Sequence, residues 1–261
     1  MKPWPLSFSL LVVSSVTLFA LPIPVNGPAV YSQSFDTLAS TGTSSSLPSG
    51  WELAESGSAA NVNYATGTGS SSTADTYSYG AAGNTDRALG TLQSGSLVSI
   101  VGASFVNGMA SPINELNVAF VGEQWRLGAT GRADRLDFQY SLDATSLTTG
   151  TWIDVNTLDF GSPNTGPTTG ALDGNAAANQ ASLSATLTGL NWAAGSTLYV
   201  RWTDLNASGS DDGLAVDSFT LQARASQAQA VPERLPSAYL SFALLAMLGV
   251  RGWMTGWRAS I

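Results

Sequence analysis

Oxygen-bearing side chains crowd one short stretch of the chain, Tyr199 to Leu221, YVRWTDLNASGSDDGLAVDSFTL. Asp204, Asn206 and Ser208 stand at alternate positions, Gly209 follows, and Asp211, Asp212 and Asp217 add three more carboxylates. Alternate side chains of an extended turn can converge on one point, and glycine permits the sharp reversal, as oxygen ligation of calcium requires. No helix-forming sequence flanks the turn, and Ala215 stands where an EF-hand carries its bidentate Glu. The site expected is therefore of the looser kind, holding a structural Ca2+. The same residue types also make turns by bonding side chain to backbone, with no metal. Crowded carboxylates repel one another unless something neutralises them, and Arg201 is the only cation nearby in sequence.

Composition removes much other chemistry. The 261 residues include no cysteine and no histidine. That excludes thiol nucleophiles, Ser-His-Asp triads and zinc sites built on Cys or His, and leaves hard-oxygen metal sites. Between Pro28 and Ala230 seventeen carboxylates face six arginines, and the only lysine is Lys2. A surface this acidic repels nucleic acid, which is excluded as a partner.

Two further constellations merit weighing. A glycosidase needs two carboxylates about 5–9.5 Å apart across a cleft. Glu115, Glu123, Asp134 and Asp137 fall on adjacent expected strands, but a solvated sheet face carries such residues without any catalysis, and no enzyme activity is expected. A sugar-binding surface would use aromatic rings beside polar groups. Of Trp51, Trp125, Trp152, Trp192 and Trp202, most are expected in the core. Trp192, next to Asn191 in an expected loop, is the surface candidate. Tyr199 and Arg201 share a strand face opposite Trp202 and form an expected polar platform.

The elements that must position these groups are strands. Leu116, Val118 and Phe120 alternate with Asn117, Ala119 and Val121, and the apolar phase changes at Gly122 before Trp125 and Leu127, which predicts a β-bulge at that glycine. Leu136, Phe138, Tyr140 and Leu142 alternate with Arg135, Asp137, Gln139 and Ser141. Shorter strands are read at 31–36, 51–53, 61–64, 76–79, 87–92, 98–106, 151–155, 181–187, 199–204 and 214–221. The stretch 159–180 is Gly, Pro, Asn and Thr without period, a long loop. Regular strands with turn-rich joins predict an all-β protein, an antiparallel β-sandwich of jelly-roll type. The segments DRLDFQYSLD, TWIDV and DDGLAVDSFTL are similar to those of lectin-like and MAM-like jelly-roll ectodomains.

Both ends read as targeting segments. Lys2 before the apolar run Leu6 to Leu21 predicts a secretory signal peptide over 1–27, with Gly27 or Ala29 as small residues for the cut. The ectodomain is then 28–222, followed by a low-complexity linker at 223–230 and a tail at 231–261. In the tail, Ala238 to Val250 is apolar; with Leu235, Trp253 and Trp257 it reaches the length of a transmembrane helix. Arg251 and Arg258 place its end in the cytoplasm and the domain outside.

Val231-Pro232-Glu233, a short apolar helix and terminal arginines together resemble the PEP-CTERM sorting tail of exosortase substrates. Where that family usually has a second proline after the Glu, this chain has Arg234. The resemblance implies a bacterial protein with Val231, Pro232 and Glu233 as sorting motif. It also implies an exosortase-type membrane protease as partner and matrix polysaccharide as neighbour. The expected function is a non-catalytic exported protein of the cell surface or extracellular matrix, anchored in the inner membrane until processed. The alternative is a calcium-dependent carbohydrate-binding module acting on exopolysaccharide.

Overall fold

Leu136 and Phe138 are buried while Arg135 and Asp137 face outward, because one face of their strand meets a core and the other meets water. In the computed structural model, which describes residues 21–224, this strand is Arg135–Ser141. It lies in a seven-stranded sheet ordered Ile23–Val25, Val98–Asn107, Thr197–Asp204, Arg135–Ser141 and Ile153–Asp154. Trp51–Ser56 also pairs with Val98–Asn107, and Phe160–Gly161 with Arg135–Ser141.

The second sheet has nine strands, ordered Gly170–Ala171, Ile113–Leu127, Gly213–Arg224, Ala88–Leu92, Asp75–Tyr79, Tyr64–Gly67 and Thr43–Ser44. Gln180–Trp192 pairs with Ile113–Leu127, and Tyr31–Gln33 with Gly213–Arg224. All pairings are antiparallel except two: Ile23–Val25 with Val98–Asn107, and Tyr64–Gly67 with Asp75–Tyr79. The only helical piece among the described residues is a single 3-10 turn, Asn156–Leu158.

The inner faces of the two sheets meet in one apolar core, which makes the domain a β-sandwich. Trp202 stands at its centre, stacked on Trp51 at 6.0 Å and meeting Phe120, Phe138 and Phe219 edge-on at 5.2–5.6 Å. Each such side chain, fully buried, contributes about 1.5–3 kcal/mol. That is how a chain without disulfides holds two sheets together.

Three expectations change. The apolar phase does not break at Gly122. Gly122 faces inward against the Phe160 ring, and Trp125 lies on the outer face of the nine-stranded sheet in a second cluster with Tyr77, Tyr79 and Leu92. The pairing with Gly213–Arg224 slips instead beside Trp125, and again at Ser218, whose φ is 49°. The second slip lets Val216 and Phe219, three apart, both enter the core.

The stretch 159–180 is not one loop, since Phe160–Gly161 and Gly170–Ala171 each add a short strand. And the folded body passes both expected bounds, 28 and 222. It begins with Ile23–Val25 and runs to Arg224. The signal segment before residue 21, the linker beyond 224 and the tail with its apolar run and sorting motif lie outside the described residues. Within these, no helix is long and apolar enough to cross a membrane.

Candidate functional site

The acidic turn joins Thr197–Asp204 to Gly213–Arg224, strands of different sheets, so it closes one end of the sandwich. Asp204 is buried, and its Oδ2 accepts from the Thr91 hydroxyl at 2.9 Å. Its Oδ1 is buried without a partner. Burial, with Asp134 and Asp211 nearby, holds this carboxyl well above the usual range. Asp211 Oδ1 accepts from Ala207 N–H at 2.9 Å, and burial pushes its pKa up to about 6. Asp212 is fully buried and accepts from Gly128 N–H at 2.7 Å and Gln124 Nε2 at 2.8 Å. The Asn206 backbone faces Gln93, whose amide, turned about, bonds both Asn206 N and Asp204 O. Ser208 contributes its carbonyl rather than its hydroxyl.

Arg132 answers the turn's charge. Its Nε donates to Ser208 O at 2.7 Å, its Nη2 to Ser210 O, and its Nη1 lies 3.4 Å from Asp134 Oδ2. Asp134, also buried, accepts from Asp212 N–H at 2.8 Å and Arg135 N–H at 2.9 Å. Arg132 stands seventy-two positions before Asp204 in the chain. It arrives because Arg135–Ser141 pairs antiparallel with Thr197–Asp204, placing Leu136 opposite Asp204. The cation nearest in sequence, Arg201, points elsewhere.

Asp217 does not join the turn. It lies on the outer face of the nine-stranded sheet with Ser218 as partner, its pKa raised by burial to about 6. No group of three acidic side chains among the described residues is placed to hold a metal ion.

The second arrangement is on the outer face of the seven-stranded sheet. Register carries Glu52, Gly102, Arg201, Gln139 and Asp154 across five neighbouring strands in one row. Arg201 Nε donates to Gln139 Oε1 at 2.7 Å and Nη1 to Leu147 O at 2.6 Å. Its guanidinium carbon lies 3.8 Å from the centroid of Trp152, a cation–π contact. Gln139 Nε2 donates to Asp154 Oδ1 at 2.6 Å. The loop carrying Leu147 crosses this face through Gly102, where a Cβ would stand 2.6 Å from Leu147 Cδ2 and 2.3 Å from Val200 O. Trp152, Arg201 and Gln139 are half-buried and Asp154 is exposed, so ring and polar groups face solvent together.

Of the expected ligand-binding residues, Arg201 takes its place here. Tyr199 shares the face but is buried under Ala144 and Leu147, its hydroxyl donating to Thr145 O at 3.1 Å. Trp192 is not a surface residue. It ends the strand Gln180–Trp192, is fully buried, and donates to Ser196 O at 2.9 Å. Trp152, which the sequence reading did not single out, is the tryptophan that reaches this face, half-buried beside Arg201. Its sequence signal was slight: a tryptophan between a Thr/Gly turn and the short alternation Ile153-Asp154.

The carboxylates weighed for catalysis are dispersed. Glu123 lies on the outer face of the nine-stranded sheet, bonded to Trp125, while Asp137 lies on the opposite outer face beside Arg135. Glu115 pairs with Arg224 at 3.3 Å and Asp134 is bonded to the acidic turn through Asp212 N–H. No two of them face each other across a cleft.

The fold defines a β-sandwich protein. No family model matches the chain, and no curated protein matches it. Among solved structures it is similar to the CBM22-1 xylan-binding domain of Paenibacillus barcinonensis Xyn10C, at 11% identity over 77% of this chain and 99% of that one, with TM-score 0.40. The xylan-binding module CBM15 follows at 12% identity, 76% and 97% coverage and TM-score 0.38. The K3 cleaved adhesin domain of Lys-gingipain from Porphyromonas gingivalis w83 is similar at 10% identity, 67% and 92% coverage and TM-score 0.41. Likeness at that level decides nothing about ligand or chemistry.

Proposed function

We propose that this chain is a non-catalytic exported protein of the cell surface or extracellular matrix whose sandwich binds polysaccharide. The observation that carries this reading is the contact of Arg201 with the Trp152 ring, set beside Gln139 and Asp154 on an open sheet face. A sugar ring offers an apolar C–H face to an indole and hydroxyls to a guanidinium, an amide and a carboxylate. The net charge of −8 disfavours acidic polysaccharides, so the substrate class is a neutral glycan. Export, the membrane-anchoring tail and its processing by an exosortase at Val231, Pro232 and Glu233 belong to this proposal through the sequence alone. Affinity electrophoresis of the protein against a panel of soluble neutral polysaccharides is the test. Retardation that is lost in Trp152→Ala supports the reading, and no retardation by any member overturns it.

A second reading adds a structural calcium ion at the acidic turn, favoured by the unpartnered, buried Oδ1 of Asp204. A proton on Asp204 would instead remove the buried charge, in keeping with its raised pKa. Thermal melting at pH 7 separates the two. A lowered melting temperature after chelation supports calcium, and an unchanged one supports the proton.

A further inference from the structure

The segment expected to leave with the secretory signal is built into the sheet. Ile23, Pro24 and Val25 pair in parallel with Phe105, Val106 and Asn107, and both Ile23 and Val25 are buried. Two glycines are shaped to this segment. A Cβ at Gly50 would stand 2.4 Å from Ile23 Cγ1, and one at Gly108 would stand 2.0 Å from Asn26 Oδ1. Gly108 N–H donates to Val25 O at 3.0 Å, which carries the same ladder one residue past the paired strand. Beyond it, Pro28 O accepts from Gln222 Nε2 at 2.8 Å. A cut after Gly27 or Ala29 would remove an edge strand together with two core side chains, and leave both glycine slots empty.

From this geometry we infer that leader processing, on which the export reading also depends, falls before Ile23, at the bond between Ala20 and Leu21. Ala20 is the small residue next to the end of the apolar run, and Pro22 obstructs a cut one bond later. The reaction is hydrolysis by a leader peptidase. Water adds across the amide, its hydroxyl completing the Ala20 carboxyl and its proton the Leu21 amine. The mature chain then begins two residues before the strand that closes the sheet.

N-terminal sequencing and intact mass of the full-length chain, recovered from outside the cytoplasm of a secreting host, test the assignment. A start at Leu21 is expected. A start at Pro28, Val30 or any residue after Pro22 overturns the inference and leaves export standing. A chain in the cytosol that keeps Met1 overturns both. Ala20→Tyr should accumulate uncut precursor, whereas Ala29→Tyr, at an exposed position, should leave processing unchanged. The reverse pattern also overturns the assignment.

Discussion

The indole N–H of Trp125 donates to Glu123 Oε2 at 2.8 Å on the outer face of the nine-stranded sheet, where both residues are buried. Gly174 is shaped to the indole, since a Cβ there would stand 2.4 Å from Trp125 Nε1. Arg126 ties the neighbouring turn down through Gly69 O at 3.1 Å. A carboxylate is thus enclosed with an aromatic cluster in place of water.

This enclosure makes stability fall as pH rises. Burial, with Asp217, Asp86 and Asp173 adding repulsion, lifts Glu123 from 4.5 to about 7, and the Trp125 bond only partly offsets it. The folded state therefore holds the proton more tightly than the unfolded chain. The stabilisation is fully present below about pH 4.5 and is lost as pH rises through about 7, a change on the order of 3 kcal/mol. Melting temperature should decline across that window. Glu123→Gln, whose amide oxygen still accepts from Trp125, should flatten the decline and melt higher than the parent at pH 8.

Arg132→Ala should destabilise the sandwich, because it leaves buried Asp134 and the Ser208 and Ser210 carbonyls without their cation. The cost is about 2–4 kcal/mol, read as a lowered midpoint in urea with an unchanged slope. Arg132→Lys should recover only part of it, since an ammonium cannot reproduce the forked donation.

Trp152→Ala should weaken glycan binding at least about tenfold, and Arg201→Ala by a similar factor, each removing one side of a contact of about 0.5–2 kcal/mol along with its ligand contacts. Trp152 is half-buried and outside the central core, so its melting temperature should move little. Isothermal titration beside thermal melting distinguishes loss of ligand contact from loss of fold.

Gly102→Val should act on the same face from beneath. Its side chain would collide with Leu147 and Val200 O, lifting the loop that supports Arg201 through Leu147 O. A cost of about 1–3 kcal/mol is expected, with weaker binding even though no ligand contact is removed. Unchanged affinity would show that the loop does not position Arg201.

Strands were legible wherever one face is buried and the other wet, as in Arg135–Ser141, where the alternation is unbroken. Gly213–Arg224 carries its bulge in its own spelling, with Leu214 and Val216 in one phase and Phe219 and Leu221 in the other. Glu123 and Trp125 misled because a roof of loops buries an outer face, and period alone cannot tell a second cluster from a bulge. The Arg132 pairing was invisible for a different reason. It depends on which strands become neighbours, information that no local window contains. Trp192 read as a loop residue because asparagine beside it signals a turn; Asn191 does take φ of 51°, but at a strand end that drives the indole inward.

Gly213–Arg224 is flanked by Ile113–Leu127 on one side and by Ala88–Leu92 and Tyr31–Gln33 on the other, yet it is the last described strand to be synthesised. Until it arrives, one long hydrogen-bonding edge, that of Ile113–Leu127, and two short ones stand open. Closure of the nine-stranded sheet therefore waits for this strand, and a nascent chain halted near residue 210 would present those edges to whatever strand it met first.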